Sequence, residues 1–179
     1  MAVAARAPAA GRAHAIAFLV DAYNGVPIDP GKGLPHAQAV ADVLREAGYN
    51  PVVQLAGLLH DVVEDTDRSI DDVETHFGHT IARLVAELSE DDGIRGYGPR
   101  KTALREQLRA AGPPALDIAL ADKVATLNHA VITGTRIRAR KLEHYRAVAR
   151  LGREAGVAPA LCRRVERLLD EVRSAAAVA

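Results

Sequence analysis

An all-α fold is what this 179-residue chain predicts, and three observations carry the prediction. Apolar residues recur at helical spacing along most of its length, and no convincing run alternates with the two-residue period of a strand. Gly and Pro punctuate the chain between these runs, where helices stop and start. Aromatic residues make up only 3% of a chain that is 49% apolar, so Ala, Leu, Val and Ile must build the core. The length favours one compact domain with about eight to nine helices over residues 12–179, behind a loose Ala/Arg-rich segment at 1–11.

A first helix fits residues 12–24 and stops at Gly25, and VPIDPGKGLP then reads as a loop. The second, from about His36 to Gly48, places Val40, Val43, Leu44 and Ala47 on one face. Asn50-Pro51 reads as an N-cap followed by proline at the first helical position, opening a third helix through LLHDVVEDT. Ser69 with Asp72 gives a capping start for a short helix to Phe77, broken by Gly78. Further helices fit Thr80 to about Glu90, Arg100 to Ala111, and Pro113 to near Gly134. The last two fit 136–155 and 158–175, the latter with Leu161, Val165, Leu168, Leu169 and Val172 as its inward stripe.

Composition excludes several classes. Basic and acidic residues balance at 23 each, which argues against a nucleic-acid partner. The single cysteine, Cys162, excludes a disulfide framework and a cysteine-based zinc site, and reads as a packed residue. No segment reaches the ~18 to 20 apolar residues of a membrane span, and AIAFLV is too short for a signal peptide, so a cytoplasmic location is expected. A basic helix and an alanine-rich tail are surfaces on which a homo-oligomer could form, but nothing selects one.

The third helix is where charge becomes informative. Taken as one continuous helix, it puts Leu55, Ala56, Leu59, Val62 and Val63 on one side. Gln54, Gly57, His60, Asp61, Glu64 and Asp65 share the other. A solvated face mixes signs, yet no Lys or Arg lies between Pro51 and Asp67. Gly57, at the centre of that face, suggests space cleared for something to approach the backbone. Asp122 lies on the apolar side of its own helix, where a carboxylate needs a cation, a donor or a metal; a salt bridge would also satisfy it. His36 opens the second helix on its apolar stripe, where a satisfied core histidine is the alternative. Together His36, His60, Asp61 and Asp122 supply two imidazoles and two carboxylates, suited to Mn, Fe, Co, Ni or Zn rather than calcium. An ion so held lowers the pKa of bound water and polarises a phosphoryl oxygen, with Glu64 and Asp65 one turn away.

The order His … His-Asp … Asp resembles the signature of the HD superfamily of metal-dependent phosphohydrolases. LLHDVVEDT, then SIDDVETHFGHTIARLVAELSED and ALADKV, more specifically resemble the hydrolase domain of the RelA/SpoT homologues, from about Ala13 to about Tyr145. No synthetase segment accompanies it, a layout like that of the small stand-alone alarmone hydrolases. The resemblance implies an HD-domain fold, a nucleotide substrate, and removal of the 3′-pyrophosphate from ppGpp and pppGpp, usually with manganese. It assigns His36, His60, Asp61 and Asp122 as metal ligands, and Glu64 and Asp65 as the pair that positions and activates water. It nominates Arg100, Lys101 and Arg105, in YGPRKTALREQL, as phosphate contacts; an exposed basic helix is the other reading. Lys123, beside the ligand aspartate, could also face phosphate.

Two departures from that family concern substrate recognition. An Arg-Lys pair in the guanine pocket is replaced by Pro27 and Ile28, leaving Lys32 as the nearest basic residue. A substrate-contacting asparagine is replaced by Thr126, and Asn128 lies about 200° further round an ideal helix. Other readings are therefore a phosphohydrolase for another nucleotide or a dinucleotide phosphate, or a nucleotide-binding regulatory domain with weak turnover. A di-iron oxygenase would need further histidines, and His76, His79 and His129 have no convincing ligand spacing.

Overall fold

The computed structural model describes residues 11–178; apart from Gly11, the expected loose segment lies outside them. Among the described residues the chain forms ten helical segments and no strands: α1 Arg12–Ala22, α2 Gly33–Glu46, α3 Pro51–Leu59, α4 Val62–Asp65, α5 Ile70–Phe77, α6 His79–Leu88, α7 Tyr97–Ala111, α8 Pro113–Thr133, α9 Ala139–Glu154 and α10 Pro159–Val178. With α4 a single turn, nine are full helices.

Helix α8 is the axis around which the others pack. It touches α2, α3, α6, α7, α9 and α10, which is why its sequence is apolar around most of its circumference. Leu116, Ile118, Leu120 and Leu127 are fully buried in it. Local chemistry sets several boundaries. The Asn50 side chain accepts from the amides of Val52 and Val53, with Pro51 at the first helical position. Ser69 and Asp72 form a reciprocal capping box that starts α5. Gly134 adopts the left-handed conformation that ends α8.

Some boundaries depart from expectation. Helix α2 begins at Gly33, so His36 sits within its first turns rather than opening it. Helix α7 begins at Tyr97, and α9 begins only at Ala139 because 134–138 is an irregular link. The main difference is at LLHDVVEDT. Helix α3 stops at Leu59 and α4 restarts at Val62, with the Asp61 backbone at φ −95° and ψ −5°. His60 Nδ1 bonds the Gly57 carbonyl at 2.9 Å, and the Asp61 carbonyl accepts from the amides of Glu64 and Asp65. The continuous wheel therefore fails beyond Leu59.

Gly57 also has a different purpose from the one expected. A Cβ there would come within 2.4 Å of Leu44 Cδ1 and 3.4 Å of Val40 Cγ1. The glycine lets α3 lie close against α2; it clears no space for a ligand. Gly152 does the same on α9, where a Cβ would meet Cys162 Sγ at 2.8 Å, and Cys162 is the packed residue expected.

Candidate metal centre

Three separate parts of the chain converge beside the middle of α8. His36 comes from α2, His60 and Asp61 from the α3–α4 junction, and Asp122 from α8. Among the described residues, His36, His60 and Asp122 offer ligand atoms that all lie within 4.8 Å of one another. Asp61 joins them, with Oδ1 3.1 Å from His60 Nε2 and Oδ2 3.9 Å from His36 Nε2. His36 Nε2 is 3.1 Å from Asp122 Oδ1.

The state of His60 tests whether a metal fits. With Nδ1 donating to the Gly57 carbonyl, the lone pair is on Nε2. That Nε2 is buried and has no hydrogen-bond partner, because the nearby Asp61 oxygen lacks the geometry of one. A buried lone pair facing a second imidazole and two carboxylates suits a divalent cation, and the backbone bond is the orienting contact that ligand histidines need. The residues fit.

Asp122 also satisfies the salt-bridge reading. Burial would raise its pKa, but the Lys123 ammonium and the His36 hydrogen bond hold it well below the usual carboxylate range. Burial alone would lower the His36 and Lys123 values, whereas Asp122 raises both. Thr126 Oγ1 donates to Asp122 Oδ1 at 3.2 Å, so this hydroxyl supports the aspartate.

Glu64 and Asp65, adjacent in sequence, point to different surroundings. Glu64 borders both a cleft of about 450 Å³ and a smaller chamber of about 70 Å³ behind the cluster. Its Oε1 accepts from the Glu90 amide at 2.8 Å, and its pKa is raised by desolvation of the carboxyl and by Asp61 and Glu90. Asp65 does not line the cleft; Lys32 reaches it at 2.9 Å and the Tyr23 hydroxyl at 3.4 Å.

The basic residues separate too. Lys32, Lys101, Lys123 and Thr126 line the cleft, whereas Arg100 and Arg105 do not. Glu90 holds both Arg100 and Lys101. Arg105 turns inward, donating to His144 Nδ1 at 3.1 Å and Thr102 Oγ1 at 2.8 Å. Its guanidinium is thus engaged away from the cleft lining. His144 lines the small chamber, and burial with Lys123, Lys101 and Arg105 pushes its pKa down to about 2. His79 is exposed beside Glu74, and His76 stacks among His14, Phe18 and Phe77. His129 borders the cleft but belongs to no ligand cluster among the described residues.

Sequence reasoning missed Glu90, Tyr97, His144, Tyr145 and the basic wall formed by Arg136, Arg138 and Lys141. Only the last left a readable signal. GTRIRARK carries four cations and no acid, the same sign asymmetry that drew attention to residues 60–65.

The family model for the HD domain matches residues 15–158, including every residue of the cluster. The chain belongs to the HD-domain family. Among curated HD-domain relatives, human guanosine-3′,5′-bis(diphosphate) 3′-pyrophosphohydrolase MESH1 is 44% identical over 94 residues, covering 51% of this chain and 52% of that protein. The bifunctional (p)ppGpp synthase/hydrolase SpoT of Escherichia coli is 36% identical over 96 residues, covering 52% of this chain and 14% of SpoT. The chain thus spans about half the length of MESH1 and a small part of SpoT. A solved structure, described as a metazoan orthologue of SpoT that hydrolyzes ppGpp, superposes with a TM-score of 0.76 at 25% identity, covering 93% of this chain and 98% of that one. The HD-domain fold is therefore shared over nearly the whole chain. No helix among the described residues is long and apolar enough to cross a membrane.

Proposed function

We propose that this HD-domain protein is a divalent-metal-dependent phosphohydrolase that removes the 3′-pyrophosphate from (p)ppGpp. The observation that carries this reading is His60 Nε2, a buried lone pair without a partner that faces His36, Asp61 and Asp122, three residues that border the 450 Å³ cleft. The relatives supply the substrate.

His36, His60, Asp61 and Asp122 would hold the ion; mixed N/O ligation suits Mn, Fe, Co, Ni or Zn, and the resemblance to the alarmone hydrolases favours Mn²⁺. Such an ion supplies Lewis-acid polarisation of the phosphoryl group and acidifies water. Glu64 receives a proton from the attacking water, its raised pKa matching it to that role near neutral pH. The water oxygen ends on phosphorus, the bond from phosphorus to the ribose 3′ oxygen breaks, and that oxygen takes up a proton. Lys101 and Lys123 place positive charge beside the departing pyrophosphate. Asp65 fixes Lys32 and Tyr23 at the edge of the site.

A second reading, hydrolysis of another nucleotide phosphate, has one observation in its favour. Thr126, where the family's asparagine would stand, already donates to Asp122. The test is a nucleotide panel incubated with the purified protein and Mn²⁺, scoring pyrophosphate and orthophosphate separately. Pyrophosphate from ppGpp is expected. Orthophosphate from a different nucleotide, with ppGpp untouched, would establish the second reading instead.

A further inference from the structure

Behind the cluster, the small chamber of about 70 Å³ has room for a few water molecules. Leucines, Ala119 and Val148 make its apolar lining, and its polar lining can be accounted for group by group. His60, Asp61 and Asp122 face one another at the candidate ion position, and Asp122 also holds Lys123. Glu90 holds Lys101. Two groups are left over. One is the His144 ring, only 3% exposed, whose Nε2 has no hydrogen-bond partner. The other is Glu64 Oε2, since Oε1 is the oxygen that accepts from the Glu90 amide.

The Arg105 guanidinium decides what His144 can do. It carries only donors, so the Nδ1 it reaches at 3.1 Å is the acceptor and the ring proton sits on Nε2. A bond of 2.8 Å to Thr102 Oγ1 anchors the same guanidinium on α7. The ring stays neutral, because burial and the cations Lys123, Lys101 and Arg105 all oppose a further positive charge there. His144 is therefore a donor without an acceptor, and Glu64 offers an oxygen without a donor, on the walls of one chamber. No hydrogen bond joins the two directly among the described residues. A buried N–H is costly to leave unpaired, and water is small enough to reach both groups.

We propose that His144, held in its donor form by Arg105, positions a water inside this chamber that donates in turn to Glu64. The inference rests on the phosphohydrolase reading above for the part Glu64 plays. The chamber water accepts from His144 Nε2–H and directs one of its own hydrogens at the Glu64 carboxylate. That bond keeps the carboxylate charged and aims it at the water that attacks phosphorus. The chamber water approaches Glu64 from the side away from the cleft, so a bound nucleotide does not displace it. His144 itself does not line the cleft and, being neutral with its acceptor nitrogen occupied, takes up no proton. It is a positioning residue.

The first measurement is a crystal structure of the Mn²⁺-loaded protein at a resolution that shows ordered solvent. A water within hydrogen-bond distance of both His144 Nε2 and a Glu64 oxygen is expected. A dry chamber, or a water bonded to only one of the two, would overturn the proposal. The second measurement is kinetic. His144→Phe keeps the ring volume without the donor, and His144→Gln restores an N–H at similar reach. On ppGpp the phenylalanine variant should lose ~10-fold in kcat, about the effect of one hydrogen bond to a charged group, with KM and metal content unchanged. The glutamine variant should recover most of that loss. Wild-type kcat in His144→Phe, or an equal loss in both variants, would also overturn it. The crystal structure uses the unaltered chain, so it decides the matter even where His144→Phe fails to fold. If wild type cleaves a different nucleotide, the same comparison is made on that substrate. If it cleaves none, the phosphohydrolase reading fails, while the bridging water stands or falls by the crystal structure.

Discussion

Glu64→Gln keeps the shape of the side chain and removes its ability to take a proton. The expected result is retention of metal with turnover lowered by ~10²-fold or more, read by elemental analysis alongside kinetics. Asp122→Ala should instead lose the metal, since it removes one of the proposed ligand oxygens and leaves Lys123 buried without its partner. Full metal occupancy in that variant would remove Asp122 from the cluster. At this scale the acids were legible because a run of one sign is unusual on a solvated helix face. Individual basic residues were not. Arg100, Lys101 and Arg105 belong to one helix, yet Glu90 takes the first two and His144 the third, and those partners are set by tertiary packing.

Caps and breakers gave most of the helices, since Asn50, Ser69 with Asp72, and Gly134 act within a few residues of where they stand. The break at His60–Asp61 was not legible, because it turns on a side-chain bond to the Gly57 carbonyl that the pattern of apolar residues does not report. Gly57 was misread for a similar reason: its neighbour Leu44 is on another helix. Gly57→Ala should therefore destabilise the protein by about 1–3 kcal/mol despite alanine's better helix propensity, measured by thermal or denaturant unfolding. Stability equal to wild type would mean α2 and α3 can separate freely. Asp117, on α8 beside Tyr49, gives a pH-dependent counterpart. Burial raises its pKa and one oxygen has no partner. A raised carboxyl pKa means its contribution to stability is present below the ordinary aspartate range and lost as pH rises through the raised value. Asp117→Asn should accordingly have a higher Tm than wild type at pH 7, by roughly a few degrees, with the gain shrinking towards pH 4.

Considered as a whole, the molecule closes its metal cluster from α2, the α3–α4 junction and α8, elements far apart in the chain. An ion there acts as a cross-link between them. Adding Mn²⁺ at ~100 times its Kd should stabilise the fold by about 2.7 kcal/mol, and chelation should reverse that. In Asp122→Ala the same additions should leave Tm nearly unchanged, a comparison made by calorimetry. The all-α architecture was legible because α8 is apolar around most of its circumference and its partners carry single stripes. The shape of the cleft was not, because it is made where the ends of elements meet.

The wall carrying Arg136, Arg138 and Lys141 lies outside the core, on a link and a first helical turn exposed to water. Substitutions there disturb neither the packing of α8 nor the geometry of the four metal-facing residues. Among descendants of one ancestor, this wall can drift while the reacting centre stays under constraint. A library randomised at these three positions alone should yield folded, metal-loaded proteins that differ chiefly in which nucleotide they accept.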